Sequence, residues 1–142
     1  MLEERWHELA VAECHVLLGR CHLGRLALVE NGMPVILPVN YLMDAGSVVF
    51  RTNAGSKLDA AARRSPVAFE VDGIDETNRT GWSVLVRGRA EQVTGDAELT
   101  RLRQLPLVPW APGARPYYVR IRLGEVTGRR VSVAQLPANW WG

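Results

Sequence analysis

Residues 50–58, FRTNAGSKL, gather the side chains best suited to chemistry. Strand alternation sends Phe50 and Thr52 to one face and Arg51 to the other. The chain then turns through Asn53 to Gly55, and the spacing predicts a helix from Ser56, its N-cap candidate, to about Arg64, with Pro66 ending it. A helix start exposes unpaired amide N–H groups carrying partial positive charge, a setting that accepts phosphate. With the hydroxyls of Thr52 and Ser56, the Arg51 guanidinium and the Lys57 ammonium, this turn would form a compact anion cradle. The same residues also suit a capped surface helix with solvated charges, and spacing alone leaves both readings open. Lys57 stands out again on composition: it is the only lysine, all the other members of the 17 basic residues being arginine.

Other groupings point to less. His7, His15 and His22 all fall early in the chain, and no G-x-S-x-G nucleophile elbow exists, so a serine hydrolase is not expected. Glu70 and Asp72, two apart on a predicted strand, share a face. They fit an acid/base pair, or a solvated face paired with arginines such as Arg87 and Arg89. The pairs Cys14-His15 and Cys21-His22 lack the short hooks of a zinc site, so no metal is expected and both thiols read as free. Neither a G-x-G-x-x-G nor a Walker loop is present.

Positioning these groups falls to a single domain over 1–142. The chain is 47% hydrophobic and 23% charged, which excludes disorder and coiled coil. A net charge of +2 with no basic block argues against a nucleic-acid partner, the face of Arg87, Arg89, Arg120 and Arg122 being the one arrangement that would suit one. No apolar run is long enough to cross a membrane as a helix. The start, MLEERWHELA, is acidic rather than signal-like, so a cytoplasmic location is expected.

Trp6, Leu9, Ala10, Cys14, Leu17 and Leu18 form one apolar stripe and predict a helix over about 3–18, with Glu3 and Glu4 in its first turn and Gly19 at its end. From Gly24 the period drops to two. Asn31-Gly32 joins 24–30 to 33–42 as a hairpin, with Pro34 and Pro38 marking an edge or bulged strand. Further strands are expected at 47–52, 67–72, 81–93 (bent at Gly88) and 117–131, with a polar loop over 73–81 and a second helix over about 95–105. Val119, Ile121 and Leu123 should face inward, and Tyr118, Arg120 and Arg122 outward. Strands joined by short helices, without βαβ alternation, indicate a mainly β, α+β barrel or sandwich.

The ordered set GRLA (24–27), PVNY (38–41), FRTNAGSKL (50–58), FEVD (69–72) and GWSVLVRGRAE (81–91) resembles the pyridoxamine 5′-phosphate oxidase-like proteins, above all small bacterial members of the nitroimidazole-resistance type. The resemblance implies a six-stranded antiparallel split β-barrel over about 24–126, with short flanking helices and a tail over 127–142. It further implies a homodimer holding FMN between subunits and acting as an oxidoreductase on a small molecule. On that pattern Arg51, Thr52, Ser56 and Lys57 would hold the FMN phosphate. Pro38, Val39, Asn40 and Tyr41 would run along the isoalloxazine ring, and Ser83, with Trp82 beside it, would add a polar contact.

Departures from the pattern narrow the activity. The longer oxidases carry a C-terminal Arg-rich motif that grips substrate, and VAQLPANWWG has no match to it, so oxidation of pyridoxamine phosphate is not expected. The nitroimidazole-resistance members have a histidine near their active centre, and none follows His22 here. A haem role lacks an axial histidine in the barrel. A deazaflavin could use the same cradle, and a non-catalytic flavin-binding or sensor module would share every motif.

Overall fold

The chain runs β1 (Trp6–Glu8), α1 (Val11–Arg20), β2 (Leu23–Glu30), β3 (Met33–Asp44), β4 (Ser47–Thr52), α2 (Ser56–Ala62), β5 (Pro66–Asp75), β6 (Thr80–Gln92), α3 (Asp96–Arg103), β7 (Tyr117–Arg122) and β8 (Glu125–Ser132) in a computed structural model that describes residues 6–132. All pairings are antiparallel. The order β6-β5-β2-β3-β4-β7 closes back onto β6 as a six-stranded ring, while β8 and then β1 extend the sheet outward from β6. This is the mainly β split barrel with short helices that the sequence implies.

Local chemistry accounts for the closure. Asn31 and Gly32 take φ of 51° and 77°, as a two-residue I′ turn requires, and fold β3 back along β2. β6 pairs with β8 through Arg87 and with β7 from Ala90 on, and Gly88 stands at the changeover. A Cβ there would lie 2.3 Å from the Arg122 carbonyl oxygen, so only glycine lets the two strands approach.

Pro34 and Pro38 occupy the half of β3 that has β2 on one side and, among the described residues, no strand on the other. Tyr41 N–H donates to the His22 carbonyl at 3.0 Å, which fixes the alternation: odd positions of β3 donate toward β2, and even positions point away. The two prolines therefore remove donors from the open edge and none from the ladder.

The barrel interior is filled by Leu26, Val39, Tyr41, Val48, Phe50, Phe69, Val84, Val86, Val119 and Ile121, with Cys14, Leu17 and Leu18 of α1 closing one end. The Tyr41 hydroxyl donates to the Leu18 carbonyl at 2.6 Å, and its ring meets Phe69 edge-on at 4.8 Å. A second apolar cluster, Val49, Val93, Leu102, Leu107 and Tyr118, lies outside the ring beneath α3 and the loop after it.

Several expectations need correction. The helix placed over about 3–18 starts at Val11 and ends at Arg20, and Trp6 stands in a strand opposite Val131. Pairing with β8, continued by Leu9 N–H donating to the Gly128 carbonyl at 2.9 Å, satisfies backbone groups that a longer helix would have claimed. Gly19 lies inside the helix, and Glu3 and Glu4 lie outside the described residues. The N-cap of α2 is Gly55, at φ 146°, rather than Ser56. The single strand over 117–131 is two strands, because Gly124 bends against the Arg87 carbonyl that its N–H bonds. The barrel thus ends at Arg122, and 127–132 belong to β8 rather than to a tail. The loop over 73–81 shrinks to a turn, since β5 runs on to Asp75 and β6 begins at Thr80. Tyr118 and Arg120, expected in solvent, are 6% exposed because α3 and its loop cover that face.

Candidate functional site

Of the expected cradle residues, Arg51 lies on the outer face shared by β3, β4 and β7. Asn40 and Leu42 of β3, Val49 and Arg51 of β4, and Tyr118 of β7 follow one alternation, and Val49 lies opposite both Leu42 and Arg120. The Pro-rich loop over 104–116 lies across this face and is fastened at two places. Arg51 donates from Nε to the Arg115 carbonyl at 3.1 Å and from a terminal nitrogen to the Leu107 carbonyl at 3.2 Å, while its guanidinium sits 5.7 Å from the Tyr118 ring centre. The Trp110 N–H donates to Asn40 Oδ1 at 2.8 Å. Between loop and barrel opens a cleft of 390 Å³ lined by His22, Asn40, Tyr41, Leu42, Leu107 and Trp110, among others.

Thr52 ends β4, and Ser56 and Lys57 open α2 after the turn that follows it. Thr52 is buried, and its hydroxyl donates to the Asn53 carbonyl at 3.1 Å. Ser56 and Lys57 are half-buried in the first turn of α2. Burial lowers the Lys57 ammonium below the ordinary lysine value, and the nearby Arg115 charge lowers it further. Arg115 keeps its Nε buried without an acceptor among the described residues, and no carboxylate there pairs with either cation. The buried Asn40 Nδ2 likewise lacks an acceptor. Sequence reasoning missed Arg115, which looked like one more arginine in a Pro-rich loop; only the fold sets it against Lys57.

The other expected residues separate. Val39 and Tyr41 point into the core at 6% and 1% exposure, leaving Pro38 and Asn40 on the outer face. The Trp82 ring lies over Gly73, where a Cβ would come within 2.6 Å of its Nε1. Ser83 lines a different cavity, of 620 Å³, with Glu8, Glu70, Arg87 and Arg129, and no cradle residue borders it. Within one chain, then, Trp82 and Ser83 do not join the cradle.

The carboxylate pair resolves as an ion-paired face. Glu70 and Asp72 are bridged by Arg25, at 3.2 and 2.8 Å, rather than by Arg87 or Arg89. Register explains it, since Arg25 lies directly opposite Glu70. Burial, then the neighbouring Asp72, raises the Glu70 carboxyl. The four arginines of the supposed basic face are also engaged: Arg87 with Glu125, Arg122 with Glu91, Arg89 with the Arg64 carbonyl, and Arg120 with Asp44 and Glu98. Both cysteines are free thiols, Cys14 being buried, and the three histidines are exposed. Among the described residues no group of three or more His, Cys, Asp or Glu could hold a metal ion.

The family model for pyridoxamine 5′-phosphate oxidase matches residues 10–130. An uncharacterized protein of Mycobacterium tuberculosis is 37% identical over 129 residues, covering 87% of this chain and 84% of its own length. A solved structure from Corynebacterium glutamicum superposes with a TM-score of 0.79 at 34% identity, over 89% of this chain and 98% of that one. The FAD binding protein from Mycobacterium smegmatis superposes with a TM-score of 0.73 at 35% identity, over 88% and 97%. With the family match running nearly the whole described length, the chain belongs to the pyridoxamine 5′-phosphate oxidase-like family.

Proposed function

We propose that the chain is a flavoprotein that binds its flavin by the phosphate end at Lys57 and Ser56 and works as an oxidoreductase on a small molecule. The carrying observation is a half-buried lysine held beside a second cation and given no carboxylate among the described residues, which is the setting an anionic ligand completes. The similar M. smegmatis protein, named for FAD binding, supports a flavin as that ligand. FMN is the smallest flavin that carries the required phosphate. Arg51 gives two of its five N–H donors to loop carbonyls, which holds the loop and leaves donors for the phosphate, while Thr52 gives its hydroxyl proton to the Asn53 carbonyl and holds the turn. Asn40, with its orphaned Nδ2 in the cleft wall, suits a polar edge of the ring system. A bound flavin supplies hydride or single-electron transfer, which leaves the protein to bind and orient.

A homodimer completes this reading, because Trp82 and Ser83 can meet a ring bound at the cradle only from another copy. The exposed Val29 and Ile36, at 67% and 68%, give the barrel an apolar outer face suited to such a contact. Ile36→Arg is expected to convert a dimer to a monomer by light scattering and to lower flavin content with it. An unchanged mass would place the contact elsewhere.

The direct test adds FMN to purified protein and records the visible spectrum and flavin fluorescence. A shifted band with quenched emission is expected; unchanged spectra with FMN and with FAD would end the flavin assignment. Competition with a deazaflavin decides between ring types. Stopped-flow reduction by NADPH and reoxidation by candidate acceptors separates an enzyme from an inert flavin carrier.

A further inference from the structure

The loop over 104–116 has one feature that holding its own shape does not require. Its backbone is already fastened through Leu107, Trp110 and the Arg115 carbonyl, all by way of barrel side chains. The Arg115 side chain contributes nothing to that fastening. Its Nε is buried with no acceptor among the described residues, at the point where the Arg115 backbone meets Arg51 at the end of β4, and its charge reaches Lys57 at the start of α2. A buried guanidinium donor without an acceptor, beside a like charge, is costly by itself. An anion placed between the two cations removes both penalties, since it accepts from each and cancels their repulsion.

We infer that Arg115 is a phosphate ligand supplied by the loop, so that the phosphoryl group of the bound flavin bridges Lys57 on α2 and Arg115 and fixes the loop over the cleft. This deepens the flavin reading and rests on it for the identity of the ligand. The shared chemistry is a phosphoryl oxygen, which FMN offers as a monoester and FAD as a pyrophosphate. Geometry gives the bridge a consequence beyond affinity. Leu107 and Trp110, which wall the cleft, belong to the same loop, so anchoring Arg115 stiffens the wall against which the rest of the ligand lies.

The test measures binding of FMN, FAD and riboflavin to the native chain, to Arg115→Gln and to Arg115→Lys. Hydrogen exchange of residues 104–116 is followed with and without FMN, and with inorganic phosphate or pyrophosphate. Since the Arg115 contact to Arg51 uses its backbone carbonyl, both variants keep that anchor. Arg115→Gln is expected to weaken FMN by about 10-fold or more while riboflavin, lacking the phosphate, changes little. Arg115→Lys should recover part of the loss. FMN should slow exchange across the loop in the native chain and not in Arg115→Gln. The relative losses for FMN and FAD tell which phosphoryl source the residue serves. Native FMN and FAD affinity together with native loop protection in Arg115→Gln would overturn the inference while leaving the flavin reading standing. If no flavin binds but inorganic phosphate or pyrophosphate slows loop exchange only when Arg115 is present, Arg115 stands as a phosphoryl ligand and the flavin reading falls. If neither anion does so, both fall.

Discussion

Lys57→Ala should bind FMN about 10- to 150-fold more weakly than the native chain, a loss of about 1.5–3 kcal/mol, the range for a hydrogen bond to a charged group. The native ammonium is already half-buried and depressed by burial and by Arg115, so much of its desolvation is met before ligand arrives. What FMN then adds is attraction with little further cost. Riboflavin serves as the internal control, since a general loosening of α2 would weaken both ligands alike. Fluorescence titration of both is the measurement. Equal losses would remove Lys57 from the phosphate site, as would native affinity for FMN.

Arg120→Ala should destabilise the fold by about 3 kcal/mol, the lower end of the range for removing one member of a buried ion pair. Arg120 is 6% exposed and bonded to Glu98 of α3, with Asp44 of β3 3.5 Å away. Its loss strands a nearly buried Asp44, though Arg101 still grips that carboxylate at 2.6 and 3.0 Å and softens the penalty. Arg101→Ala, at a half-exposed side chain, should cost less than Arg120→Ala, since Arg120 still stands 3.5 Å from Asp44. Urea unfolding measures both, and a near-native midpoint for Arg120→Ala would show that α3 is held by Val49, Leu102 and Tyr118 alone. The Arg101–Asp44 contact sets an acid limit. Hydrogen bonds from Arg101 above all hold the Asp44 carboxyl below its ordinary value, against the opposing effect of burial. The stability it contributes is fully present above about pH 4, the unfolded carboxylate value, and is lost as pH falls through the lowered folded value. The Asp44→Asn variant should show a flatter acid limb.

Periodicity made the barrel readable because its strands obey local rules. Asn31-Gly32, the alternation through 47–52 and the inward Val84 and Val86 all announce themselves within a few residues. The errors arose where distant pairing decides. Nothing local tells Trp6 to pair with Val131 rather than begin a helix, and nothing in YYVRIRLGEVTGRRV reveals that Gly124 must bend around the Arg87 carbonyl. For the site, Lys57 was visible as the lone lysine in a turn of polar residues. Arg115 was not, because its meaning depends on a loop folding back some fifty residues later. Tyr41 is divided in a way its sequence does not reveal: it borders the cleft, yet its hydroxyl is committed to Leu18 inside the barrel.

The two prolines on the open rim of β3 decide how copies of this molecule can and cannot join. A neighbouring strand seeking to prolong the sheet along residues 34–40 would meet gaps at Pro34 and Pro38, at alternate sites where it needs donors. Fibre-like growth through that rim is thereby discouraged, even though greasy Val29 and Ile36 stand nearby. A copy that docks there would lie flat against flat, side chain to side chain, an arrangement that ends with one partner instead of propagating.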